Sequence, residues 1–168
     1  MGNPMYGQNK FDNAIDNAKE NIIVTTGATT LTAAQSGATV LHQSANTAIT
    51  LPAAKAGLNF KIILGIESTS GCNILTAAAT DCFFGYIHFK SDTADQIGVP
   101  QQLTHAVAIA APASYDAMKF VAATNTIGGV AGQVIHLTCV DDVAWHVEIP
   151  DHATSDNNPG TCALIVAR

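Results

Sequence analysis

Six histidines and thirteen acidic residues are the groups of this 168-residue chain with the most evident capacity for chemistry, so a metal site is weighed first. His136 and His146 lie on two runs of β-forming residues joined by a turn at Asp141-Asp142. A two-residue turn sets His136 opposite Val147. His146 then lies opposite Leu137, and because directly opposed residues share a face, the two histidines fall on different faces. A one-residue change of register would alter this. The predicted register favours separate hydrogen-bonded or interface histidines over a metal pair.

Oxygen ligands for a hard cation are also concentrated near this turn. The candidates are Asp141, Asp142, Asp151, Asp156, Asn157 and Asn158. They do not form the D-x-[DN]-x-[DN]-G loop of a calcium site, and turn chemistry alone accounts for aspartates at a hairpin tip. We therefore predict no metal.

Catalytic patterns are equally absent from the sequence. Glycoside hydrolysis needs two acids across a cleft, whereas many of the acids here (Asp12, Asp16, Glu20, Asp92, Asp95) fall in predicted turns or near the N-terminus. There is no Gly-x-Ser-x-Gly, and the glycine-rich run 128–132 precedes a predicted strand instead of the helix that a dinucleotide site requires. The prediction is a protein with no catalytic residues and no cofactor, and thus not an enzyme.

Composition narrows the class of partner. Only 12% of residues are charged, and seven Lys and Arg against thirteen Asp and Glu give a net charge of −6. No basic stripe suits nucleic acid, no apolar run reaches the roughly 18 residues of a membrane helix, and the first ten residues lack the pattern of a signal peptide. We expect synthesis in the cytoplasm and a surface partly covered by other protein. Residues Cys72, Cys82, Cys139 and Cys162 form no CxxC and are predicted to be free thiols that pack as small hydrophobes.

The elements that would position these residues are short strands separated by turn residues. The predicted strands cover 21–26, 39–43, 48–51, 58–64, 72–76, 81–90, 103–112, 118–123, 133–140, 143–149 and 162–166, and 91–102 is predicted as a loop because it contains Gly98 and Pro100. About ten short strands predict one all-β domain over residues 22–168, a β-sandwich of jelly-roll type. No repeat of fixed period is visible.

Residues 1–21 form a predicted N-terminal arm that contains a short helix. Phe11, Ala14, Ile15 and Ala18 recur at the spacing of one helical face, with Asp12, Asp16 and Lys19 on the other. A helix of about twelve residues is marginal alone and must pack on something. Two interpretations stay open: the helix caps the end of the β-domain, or the arm docks on a neighbouring subunit or on a shell beneath it.

Four quoted stretches carry a resemblance to a known group of proteins. They are LTAAQSG at 31–37, ITLPAA at 49–54, AGLNF at 56–60 and GQVIHLTCVDDVAWHV at 132–147. Together they resemble the capsid decoration (cement) proteins of tailed bacteriophages and related β-modules of tail fibres.

The resemblance implies a virion structural protein on the outer surface of the phage head. Such a protein forms homotrimers at local three-fold positions and bridges subunits of the major capsid protein. From their position and apolarity we expect Tyr6, Phe11 and Ile15 of the arm to contact the shell, and the subunit interface to use Phe83, Tyr86, Phe89 and Trp145. The alternatives are a tail-fibre or host-recognition module and, less in keeping with the sequence, a small sandwich enzyme.

Overall fold

The computed structural model describes residues 21–69, 71–91, 97–103, 116–120, 129–154 and 165–166. Within them are one 3-10 turn, Ala33–Gln35, and twelve strands. The strands are β1 Ile22–Thr25, β2 Thr29–Thr30, β3 Thr39–His42, β4 Ala48–Thr50, β5 Asn59–Leu64, β6 Cys72–Leu75, β7 Cys82–Ser91, β8 Ile97–Leu103, β9 Ala117–Phe120, β10 Val134–Cys139, β11 Ala144–Thr154 and β12 Ile165–Val166. The predicted all-β class is confirmed. The predicted arm helix and the predicted strand 103–112, apart from Leu103, lie outside the described residues.

Two sheets divide the strands between them, and the chain alternates between the sheets from β1 to β7. The order is β1-β3-β5-β10-β11-β7-β8 in the larger sheet and β12-β9-β6-β4-β2 in the smaller. Strands β1, β3 and β5 pair in parallel, as do β2, β4 and β6. Residues 22–75 therefore wind through three coils, and each coil gives one strand to each sheet.

This winding replaces the predicted jelly roll. A jelly roll is built from antiparallel Greek keys, whereas the first six strands here pair with one another only in parallel. The turn at 43–47 carries the chain from β3 across to the other sheet instead of folding it back beside β3. Coil lengths differ, since Ile22 lies opposite Thr39, 17 residues on, and Thr39 opposite Lys61, 22 residues on. Unequal coils explain why the sequence shows no fixed period.

The core lies between the two sheets and is filled by alternate residues of each strand. Val40, Ile62 and Ile135 are aligned on three neighbouring strands and are all 0% exposed. Fully burying one such side chain contributes about 1.5–3 kcal/mol relative to exposure. Trp145 is the largest buried side chain, with its ring 6.1 Å from that of Phe60. The period-2 pattern of the sequence thus fixes which face of each strand is buried.

The predicted loop at 91–102 was wrong for Ser91, the last residue of β7, and for residues 97–102, which belong to β8. Pro100 lies opposite His88 in the antiparallel pair of β7 and β8. β8 is the last strand of the larger sheet. A proline is tolerated there because one side of an edge strand needs no N–H donor, so Pro100 marks an edge and does not prevent strand formation.

Candidate binding surface

His136 and His146 lie on the same face of the β10–β11 hairpin, contrary to the predicted register. The strands pair with Leu137 opposite Val147, which sets His136 opposite Glu148 and His146 opposite Thr138. His136 and Glu148 are exposed and His146 is half-buried, so this is the outer face of the larger sheet.

A three-residue loop causes the change of register. The Val140 N–H donates to the Ala144 carbonyl at 3.0 Å, which leaves residues 141–143 as the loop. Asp141 Oδ1 accepts the N–H groups of Val143 at 2.8 Å and Ala144 at 2.7 Å. An aspartate that bonds the backbone two residues on is a recognised turn signal, but it does not distinguish two loop residues from three. Among the described residues, no group of three His, Cys, Asp or Glu side chains is placed to hold a metal ion.

A polar row crosses three strands of this outer face. Lys61 on β5 and Glu148 on β11 lie on either side of His136 on β10. Directly opposed residues have Cβ atoms about 5 Å apart, so both signs of charge stand close together. His146 lies two residues before Glu148 on the same face of β11, and its ring packs edge-on against the ring of Phe84 at a centroid distance of 5.3 Å. Such a row is suited to hydrogen bonds and charge pairing with a protein surface.

Next to the polar row is an apolar surface that we call the aliphatic strip. It comprises Ile22, Val24, Leu41, Ile63 and Val134. Val24 lies opposite Leu41, Leu41 opposite Ile63, and Ile63 opposite Val134, so one line of aliphatic side chains crosses β1, β3, β5 and β10. Ile22 and Val24 are 59% and 56% exposed, and the other three are half-buried. The strip is an apolar surface available to a partner.

The edge of the sheet adjoins the strip at β1, the first strand in the order. Thr39 N–H donates to the Asn21 carbonyl at 2.8 Å and Gln43 N–H to the Thr25 carbonyl at 2.7 Å. Because alternate residues of a parallel strand bond the same neighbour, the backbone groups of Ile22 and Val24 face away from β3. An edge strand with exposed apolar side chains is a template for pairing unless something covers it.

The residues expected at a subunit interface are not all available for one. Phe83 and Trp145 are 0% exposed within the single chain, so they belong to its core and have no surface left for a partner. Of Tyr86 and Phe89 the structure describes only the backbone, on β7. Tyr6, Phe11 and Ile15 lie outside the described residues. The aliphatic strip escaped prediction because each of its members sits in a run of apolar residues where either face could be the buried one.

Three thiols are described, and all are free, as predicted. Burial raises the pKa of Cys72 to about 11. Burial, aided by the charges of Asp141 and Asp81, also raises the pKa of Cys82. Cys139 has its pKa raised by burial, although its sulfur accepts the Lys55 N–H at 3.1 Å. Since the thiolate is the nucleophile, raised pKa values make these side chains inert packing groups. Cys162 lies outside the described residues.

His42 is a buried histidine on the inner face of β3. Its Nδ1 lies 2.7 Å from Thr25 Oγ1 and its Nε2 lies 3.1 Å from Thr47 Oγ1. Burial lowers its pKa, partly opposed by a backbone hydrogen bond of Thr47. Both ring nitrogens are thus engaged with hydroxyl groups, which suits a structural role joining β1, β3 and the turn before β4.

Comparison of the chain with protein-family models, curated proteins and solved structures gave no match. In the part of the chain that the structure describes, no helix has the length and apolarity to cross a membrane.

Proposed function

We propose that this chain is a non-enzymatic structural protein of a phage particle, which binds the outer surface of the head and bridges neighbouring major capsid subunits. One observation carries the proposal. Two of the stretches that resemble cement proteins, 56–60 and 132–147, are far apart in the chain but adjacent in space. Asn59 and Phe60 of β5 lie opposite Thr138 and Leu137 of β10. These two parts of the resemblance therefore fall on neighbouring strands of one sheet.

The composition supports the same role. With only 12% charged residues the protein has little charge to oppose close packing against other subunits. Shell subunits resist the pressure of packaged DNA only as far as their contacts hold, and a homotrimer at each junction adds contact area there. Many weak contacts made together gain strength through avidity. The arm that precedes β1, with Tyr6 as an aromatic anchor, is the segment we assign to the shell.

The test is the copy number of this chain in purified particles, measured against the major capsid protein by quantitative mass spectrometry. We expect a ratio near one, as for a trimer distributed over the whole shell. Washing the particles in high salt and repeating the measurement separates bound from trapped protein. Absence of the chain from washed particles would contradict a virion role and return attention to the enzyme alternative.

A tail-fibre module is the second candidate, favoured by the three parallel coils of residues 22–75. Coils of this kind stack along one axis, which suits an extended assembly. The same measurement separates the two candidates, because a fibre protein would be present at a few per cent of the major capsid protein. Immunogold labelling of intact particles then locates the chain at the tail or on the head.

A further inference from the structure

We propose that two copies of this chain join through β1, which pairs with β1 of the second copy in an antiparallel arrangement about a two-fold axis at Ile23. The contact uses the outward backbone groups of Ile22 and Val24 and the exposed end of the aliphatic strip, where these two side chains are 59% and 56% exposed. The larger sheet of one copy then continues into that of the other. This inference does not depend on the proposed function.

Strand β1 differs from every other described strand that ends a sheet. β2 and β12 are two residues long, and β8 contains Pro100 and a shift of register against β7. Short length, proline and irregular pairing are devices that prevent an edge from recruiting another strand. β1 has four residues in unbroken register with β3, and it contains neither proline nor a charged side chain. Of the described edges, β1 is therefore the one that is open to pairing.

An antiparallel pair centred on Ile23 satisfies the outward backbone groups of both copies. Ile22 lies opposite Val24 of the second copy, and Val24 lies opposite Ile22 of the second copy, so each opposed pair exchanges both of its N–H···O=C hydrogen bonds. Ile23 then meets its own counterpart at the axis. Its side chain is half-buried and already packs against the core, so the apolar contact of one copy continues into that of the other.

The sequence around the axis is complementary to itself. A two-fold axis brings each residue near its own counterpart, so charged side chains there would repel each other. Residues 21–31 contain no charged side chain, although the chain as a whole has a net charge of −6. Ile22, Ile23 and Val24 are all β-branched, so each opposed pair consists of two side chains that favour strands. β1 thus meets the requirement of an isologous contact.

The size of the contact makes the pairing reversible. A stable dimer buries about 800 Å² on each partner, which is more than a strand of four residues and the exposed aliphatic side chains beside it provide. We therefore expect separate copies in dilute solution and pairs where the chain is concentrated. Many copies held side by side in one assembly would pair more strongly than free copies do, because their effective concentration is higher.

The molecular mass of the full-length protein, measured by analytical ultracentrifugation over a range of concentrations, tests the pairing. The double variant Ile22→Lys with Val24→Lys sets lysines directly opposite each other across the axis, which should halve the mass reached at high concentration. We expect this halving whether the parent associates as a dimer or as a pair of trimers. The matched control is Val140→Lys with Val143→Lys, two exposed valines at the far loop, which adds the same charge and should keep the parental mass.

A cross-link tests the position of the axis. Opposed residues of a non-hydrogen-bonded antiparallel pair are close enough for a disulfide, so we expect Ile23→Cys to form a covalent dimer under mild oxidation. Val143→Cys, at the exposed far loop, should remain uncross-linked under the same conditions. The fluorescence of Trp145, the single tryptophan and a buried one, shows that each variant is folded.

Two results would overturn the proposal. A mass that stays that of one chain at every concentration, or that the two lysine substitutions in β1 leave unchanged, would show that β1 is not a contact between copies. An oligomer whose Ile23→Cys variant does not cross-link would show that the copies associate without this axis. Both readouts use the purified protein, so they are independent of the copy number in particles that tests the proposed function.

Discussion

At the scale of single residues, His42 makes the stability of the fold depend on pH. Burial lowers its pKa from the ordinary value of 6.5, so the folded protein takes up this proton at lower pH than the unfolded chain does. Stability from this group is complete above about pH 7 and is lost as the pH falls below 6.5, with a slope of at most about 1.4 kcal/mol per pH unit. We expect the urea concentration at the unfolding midpoint to decrease as the pH is lowered from 7.5 to 5.5. This window lies above the pH range where carboxyl groups ordinarily titrate.

The variant His42→Gln should flatten this dependence, because it removes the titrating group and keeps a polar side chain near Thr25 and Thr47. His136→Gln is the control for the substitution itself, since it makes the same change on the exposed outer face of the sheet. An unchanged slope in His42→Gln would mean that another group causes the pH dependence.

The role of a residue could be predicted from the sequence only where its side-chain type determines that role. Cysteines without a metal or disulfide spacing pack as apolar groups, and the three described ones do. Phe83 and Trp145 fit a core and an interface equally well by type, and only the packing of the two sheets shows that both are completely buried. His42 could have been placed inward, because it lies two residues from Val40 on one strand.

At the scale of elements, Gly85 determines how closely β7 approaches its neighbour. It lies opposite Val147 of β11 with a φ of +146°, and an added Cβ would meet the backbone oxygen, carbon and nitrogen of Val147. The backbone of β11 is paired within the sheet and cannot move aside for the added Cβ. We expect Gly85→Ala to lower the free energy of unfolding by about 2–5 kcal/mol, from overpacking and backbone strain together.

Substitutions at two other glycines distinguish overpacking from backbone strain in the same denaturation assay. Gly132 has a φ of +89° but open space around an added Cβ, so Gly132→Ala should cost only the conformational term of about 1–2 kcal/mol. Gly27→Ala meets nothing within 4 Å and needs no unusual backbone, so it should be close to neutral. A cost for Gly85→Ala no larger than that for Gly132→Ala would remove the close approach as an explanation.

Strand positions followed from the sequence, but strand partners did not. The runs 21–26, 39–43 and 58–64 became β1, β3 and β5, since β-branched and apolar alternation specifies an extended segment with a buried face. Register depends on loop length, which the Asp141 side chain lengthened by one residue. Edge position, which admits Pro100 into β8, is a property of the whole sheet and has no local signal.

At the scale of the whole molecule, three parallel coils are joined to an antiparallel part. Strand β5 connects them, pairing in parallel with β3 and antiparallel with β10. A polar turn after a short strand permits either a hairpin or a crossing to the opposite sheet, so the sequence defines the all-β class but leaves the winding open. Both arrangements bury alternate residues of each strand, so alternation along the sequence does not distinguish between them.

The coil arrangement predicts a gradient of local stability. The first coil is paired on one side only, because β1 and β2 end their sheets, whereas β5 has a partner on both sides. In arrays of this kind each coil is stabilised by its neighbours, so the terminal coil opens at the lowest cost. In native-state hydrogen exchange we expect the amides of β1 and β2 to exchange faster than those of β5 and β10, and low concentrations of urea to widen the difference. Equal exchange in all four strands, rising together with urea, would mean that the coils and the antiparallel part open as one cooperative unit.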